Sequence, residues 1–138
     1  MPLLIEIKQN SKVGPLEEKL MTILKNYKGK YAIQSFNVMT IYWFKKNYPT
    51  ILRGQLSSQY RKTKMNKITK FILKNMLLNY ITKPDFISYK YDELSTKKIK
   101  KYKRKGIILL AWTIDNKEDY NQYKKQYDNL ICEKFINR

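Results

Sequence analysis

Short apolar runs alternate along this chain with longer stretches whose apolar positions recur every three or four residues, the rhythm of βα units with a parallel sheet. Six runs read as strands: Leu3 to Lys8, Tyr31 to Phe36, Ile51 to Leu56, Phe86 to Tyr91, Ile107 to Ile114 and Leu130 to Phe135. Five helices fall between them. The first opens at Gly14-Pro15, with Glu17 and Glu18 in its first turn and Lys25 and Lys28 at its end, matching the helix dipole at both termini. Its expected buried stripe is Leu16, Leu20, Ile23 and Leu24, and Gly29 ends it. The other helices run from about Met39 to Lys46, with Ile41, Trp43 and Phe44 apolar, then Asn66 to Asn79, Thr96 to Lys105, and Asn116 to Tyr127. The segment Ile107 to Ile114 is the most apolar of all and fits a strand covered on both faces.

With 138 residues the chain reads as a single α/β domain, well short of the ~250 residues of a closed eight-stranded barrel. No linker or low-complexity tract divides it. Its four glycines form neither GxGxxG nor a Walker A pattern, so a dinucleotide or P-loop site has little support.

Charge modifies this picture in sign more than in meaning. Lys and Arg number 29 against 11 acidic residues, a formal charge of +18, which favours anionic partners. Arg occurs only at positions 53, 61, 104 and 138. A Lys-dominated surplus beside abundant Asn, Ile and Tyr is what an AT-rich coding sequence produces, and it disfavours specific nucleic-acid reading, where Arg is the usual choice. The helix Lys97 to Lys105 reads as a solvated basic face, with an anionic membrane surface as the alternative use. No stretch approaches the ~18 apolar residues of a membrane span and no signal core opens the chain, so as written it reads as cytosolic. The lone Cys132, in the apolar run Leu130-Ile131-Cys132, reads as buried.

Candidate chemistry lies at the carboxyl ends of the strands, where parallel α/β folds gather their active residues. Glu6 and Lys8, two positions apart on the first strand, point to one side. Gln34 and Ser35, Arg53 and Gln55, Ser88 and Lys90, and Trp112 with Thr113 occupy the same place on later strands. A carboxylate, cations and an aromatic at such ends suit an anionic ester beside a hard metal ion. The plain alternatives are a structural Glu6 and Lys8 ion pair, Arg53 as an ion-pair partner, and Trp112 and Tyr120, Tyr123 and Tyr127 as packing residues.

The ordered motifs Leu-Ile-Glu-Ile-Lys, Ala-Ile-Gln-Ser-Phe-Asn, Leu-Arg-Gly-Gln-Leu and Leu-Ala-Trp-Thr-Ile, spread over almost the whole chain, resemble the glycerophosphodiester phosphodiesterases. The resemblance implies an incomplete TIM-type barrel of about six parallel strands alternating with helices. It assigns Glu6 as a ligand of a divalent metal, Mg²⁺ or Ca²⁺, Lys8 as a cation on the substrate phosphate, Trp112 as a pocket-lining residue, and Phe36 as packing and pocket wall. Val38 stands where proline commonly follows Ser-Phe-Asn, a change confined to a loop.

The family's His-Arg-Gly strand, its second strand with Glu and Asp, and a further histidine have no counterpart in residues 1–138. The sequence contains no histidine, so the proton transfers of hydrolysis lack their imidazoles. One carboxylate is too few to fix a hard metal. The expectation is therefore a partial phosphodiesterase domain, inactive and binding metal weakly by itself, from a family that hydrolyses glycerophosphodiesters to glycerol 3-phosphate and an alcohol. Unpaired sheet edges would favour self-association or a complementing N-terminal chain. A full-length form could be membrane-anchored or secreted. From a different class, the charge alone allows a non-catalytic basic module for nucleic acid or anionic membrane.

Overall fold

The computed structural model describes residues 1–8 and 12–134. Strands and helices alternate as the sequence predicts: β1 (Leu3–Glu6), α1 (Pro15–Leu24), β2 (Tyr31–Ser35), α2 (Val38–Asn47), β3 (Leu52–Ser57), α3 (Lys67–Lys74), α4 (Asn79–Thr82), β4 (Phe86–Lys90), α5 (Thr96–Arg104), β5 (Ile108–Ile114), α6 (Lys117–Tyr123) and β6 (Asn129–Cys132). The fold is α/β with six parallel strands alternating with helices. Two compact units divide the chain, one comprising Met1–Leu56 with Leu77–Asp85 and the other Ser57–Met76 with the residues from Phe86 onward.

In the first unit β1 pairs in parallel with β2, bringing Glu6 opposite Gln34, and β2 pairs with β3, bringing Ser35 opposite Gln55. Alternation sends Ile7 and Ile33 to the helical side, where they pack with Leu24 and Phe44. The stripe of α1 differs from the predicted one. Leu16 and Ile23 are exposed, whereas Glu17 and Leu24 are buried and Leu20 and Met21 pack on the core. Positions 17, 20, 21 and 24 make one helical face, and its first member is a carboxylate. Glu17 can lie there because both oxygens are engaged, accepting from the Gly14 backbone N–H at 2.7 Å and from the Thr40 hydroxyl at 2.8 Å. Asn37 caps α2 by accepting from the Met39 N–H, which leaves Val38 at the first helical position, where proline is equally at home.

In the second unit β5 lies between β4 and β6, parallel to both. Ile87, Tyr89, Leu109 and Ala111 meet Ile99 of α5, and Met76, Leu94 and Tyr127 complete the cluster. Among the described residues that side of β5 is the more closely covered. Ile108 is exposed and Leu110 and Trp112 are half-buried, so the strand alternates instead of being covered on both faces. The peptide between Trp112 and Thr113 is cis. The helix expected from Asn66 to Asn79 is broken: Asn75 caps α3, Met76 adopts a left-handed φ of 53°, and α4 begins separately. Cys132 is exposed, not buried. It ends β6, whose one paired neighbour among the described residues is β5, so apolar sequence there does not bring coverage. Phe135, the expected end of that strand, lies outside the described residues.

Candidate functional site

The predicted pair at the first strand end is present as an ion pair. Lys8 Nζ lies 3.7 Å from Glu6 Oε1, with the Lys8 side chain 81 % exposed. Strand pairing holds their backbone in place. The Ile7 N–H donates to Gln34 O at 2.9 Å, and the Ile7 carbonyl accepts from the Ser35 hydroxyl at 2.8 Å. The same hydroxyl accepts from the Asn37 N–H at 3.1 Å. Ser35 thus ties the residue between Glu6 and Lys8 to the start of α2, so its role is positional. Phe36 follows β2, half-buried, and its carbonyl accepts from Gln55 Nε2 at 3.2 Å. The Gln55 amide also donates to Ser35 O and Leu56 O, fixing the turn that carries Phe36.

Arg53 takes the structural role. Its guanidinium is buried, donates to the carbonyls of Pro49, Ile51 and Lys83 at 3.1, 3.2 and 3.2 Å, and lies 3.7 Å from Asp85. A guanidinium wrapped in carbonyls is not free for a phosphate. An apolar pocket of about 170 Å³ lies against α2 and α4, lined by Val38, Met39, Tyr42, Leu78 and Ile81, and contains none of the predicted site residues.

In the second unit Trp112 lies opposite Lys90 in the β4 and β5 register. Its indole N–H donates to Ser88 O at 3.1 Å, which orients the half-buried ring. Lys90 is gripped by two carboxylates, Glu93 at 3.1 Å and Asp92 at 3.5 Å. The hydrogen bond to Glu93 is the main cause that holds its ammonium above the usual lysine range. Glu93 in turn accepts from the Gln59 N–H at 2.7 Å, while its carbonyl takes the Gln59 side-chain amide at 3.0 Å. Sequence reading missed Glu93. Its signal was available in the spacing Lys90 to Glu93 just after a strand, which puts an acid within reach of the strand-end cation. Tyr123 and Tyr127 pack as expected, with Tyr127 donating to Tyr91 O at 3.0 Å.

A divalent ion needs several oxygen ligands, and among the described residues no group of three or more His, Cys, Asp or Glu is placed to hold one. The residues described therefore do not by themselves fit such an ion. No helix among them is long and apolar enough to cross a membrane.

The model of the glycerophosphoryl diester phosphodiesterase family matches residues 2–133. The chain belongs to that family. Phosphodiesterases of this family are metal-dependent. Comparison with curated protein sequences finds no match. Among solved structures, the chain is similar to a phosphodiesterase from Oleispira antarctica in complex with the product sn-glycerol-3-phosphate, at 19 % identity and a TM-score of 0.71, covering 96 % of this chain and 51 % of that one. A glycerophosphodiester phosphodiesterase from Thermotoga maritima matches at 20 % identity and a TM-score of 0.65, covering 94 % and 52 %. The chain spans about half the length of these solved phosphodiesterases. A glycerol uptake operon antiterminator regulatory protein from Listeria monocytogenes also matches, at 17 % identity, a TM-score of 0.62, and 97 % and 69 % coverage. At these identities the structural likeness shows the fold alone, which serves more than one function.

Proposed function

We propose that this phosphodiesterase-family chain carries one side of a glycerophosphodiester-hydrolysing site and does not turn over substrate by itself. In the first unit Glu6 would supply one oxygen ligand to a Mg²⁺ or Ca²⁺ ion, Lys8 would meet the substrate phosphate and Phe36 would serve as pocket wall; in the second, Trp112 would line a substrate pocket. Residues 1–138 then act as a partial domain, without the His-Arg-Gly strand or the strand with Glu and Asp, and catalysis requires a complementing segment or chain that brings them. The observation that carries this reading is the Glu6 and Lys8 pair at a strand end, clamped through Ile7 in a chain of this family. An exposed ion pair contributes little to stability, so a paired, accessible carboxylate and ammonium at this place are available to a ligand.

The bound metal would supply charge to polarise a phosphoryl oxygen. What these residues do is bind and orient. Lys8 offers an exposed ammonium, Glu6 holds it close until an anion competes for it, and Trp112 presents a ring whose tilt is set by its bond to Ser88 O. The sequence holds no imidazole, the usual carrier of protons near neutral pH.

The test is direct. Purified chain with Mg²⁺ or Ca²⁺ and glycerophosphocholine should release no glycerol 3-phosphate, and turnover would sink the proposal of an incomplete site. Titration calorimetry with sn-glycerol 3-phosphate and the metal should show weak binding that Lys8→Gln and Glu6→Gln each abolish. Binding untouched by both substitutions would remove these residues from the site.

A further inference from the structure

We propose that helix α3, with the neighbouring basic helix α5, is a docking surface for an anionic lipid bilayer. This inference is independent of the phosphodiesterase reading. A helix of alternating apolar and basic residues normally buries its apolar stripe, yet no residue of α3 is buried. Ile68 is 74 % exposed and Phe71 57 % exposed, three positions apart and so on one side, with Met65 exposed just ahead of them. Large apolar side chains exposed together mark an interaction surface, where single ones would need no explanation.

The charge around them selects the partner. Residues 57–76 carry Arg61, Lys62, Lys64, Lys67, Lys70 and Lys74 and not one acidic residue. Helix α5 adds Lys97, Lys98, Lys100, Lys101, Lys103 and Arg104. The two helices are joined where Lys98 Nζ donates to the Asn75 side-chain carbonyl at 2.8 Å. Burial pushes the Lys98 ammonium below the usual lysine range, and Lys74 and Lys101 add to it, so cations crowd this junction. Asp128, 3.5 Å from Lys103, is the carboxylate paired with α5 among the described residues.

A bilayer interface answers both halves of this pattern: its acyl boundary accepts Ile68 and Phe71, and its anionic headgroups accept the lysines, whose stems can lie along the boundary. A nucleic acid answers only the charge. Lysines without arginine on α3 itself lack the bidentate geometry that phosphate and base recognition favour. A second copy of a chain with net charge +18 would bring one cationic face against another.

The full chain should sediment with phosphatidylcholine vesicles containing phosphatidylglycerol and not with phosphatidylcholine alone, and added salt should weaken the binding. The double variant Ile68→Ser, Phe71→Ser should lower the partition coefficient by about tenfold or more while keeping its circular dichroism spectrum, because both side chains are exposed. The single variant Phe71→Trp should shift its emission to the blue when the anionic vesicles are added. Vesicle binding unchanged in the double variant would overturn the proposal, since charge alone would then explain it, and so would an unshifted emission. Two other results would overturn it as well: absence of vesicle binding beside tight binding of an RNA oligonucleotide, and a dimer that the double variant dissolves.

Discussion

Each unit of this protein ends a parallel strand with a lysine beside carboxylates, and the two lysines live in different conditions. Lys8 has Glu6 at 3.7 Å and a side chain 81 % exposed; Lys90 has Glu93 at 3.1 Å and Asp92 at 3.5 Å and is 37 % exposed. The Glu93 side chain is buried and also holds the Gln59 N–H, so removing it leaves that N–H without its acceptor and Lys90 with Asp92 alone. Glu6 has no comparable duty, and its backbone is held instead by the Ile7 hydrogen bonds. The lesson is that a charged pair at a strand end serves stability where its carboxylate is buried and multiply bonded, and is open to a ligand where it is not.

The strongest way to break this comparison is to remove the acids. Glu93→Ala should cost about 2 kcal/mol in urea unfolding, because a half-buried backbone donor loses its acceptor and Lys90 keeps only Asp92, whereas Glu6→Ala should stay within about 0.5 kcal/mol. Equal losses would erase the distinction.

A second test uses alkaline pH and the tyrosines of the Lys90 unit. Burial, aided by Asp119, pushes the Tyr91 phenol up from 10.0 to about 12, and burial moves Tyr89 and Tyr127 the same way. An unfolded tyrosine releases its proton near 10.0 while native Tyr91 keeps it to about 12, so in that window the native state binds more protons. The stability Tyr91 contributes is therefore complete below pH 10 and is lost as pH rises to about 12. Tyr91→Phe should flatten the fall of the unfolding midpoint across that window; an unaltered slope would count against the burial account.

The smallest effect sharpens the comparison at the lysines themselves. Acetylation followed by mass spectrometry should modify Lys8 several-fold faster than Lys90, whose ammonium is both shielded and held in its charged form by Glu93. Similar rates would mean that the second grip is loose.

Much of this was legible in the order of residues. The period of apolar positions marked the six strands and most of the helical spans between them, because βα units repeat one burial rule. That Glu6 and Lys8 share a side of the first strand end was readable because alternation decides which side a strand residue takes. The misses have particular causes. Glu17 was read as a first-turn partner of the helix dipole and not as part of the α1 stripe, since a carboxylate on a buried face makes sense only when Thr40, distant in sequence, is seen to meet it. The single helix from Asn66 to Asn79 had no Gly or Pro to divide it, and the break came from Met76 adopting a conformation its type rarely takes. Cys132 and Ile108 were apolar in sequence but are exposed among the described residues, and sequence pattern carries no record of that.

Ser35 sets a limit on how far such a chain can drift. In a sequence rich in Lys, Asn, Ile and Tyr, most surface positions can be exchanged for one another at little cost. The oxygen of Ser35 must be small enough to sit between β1 and α2, give its hydrogen to Ile7 and take one from Asn37. None of the four abundant side chains can do all three. Compositional bias can therefore rewrite the rim of this strand end freely, but it has to stop at that hydroxyl.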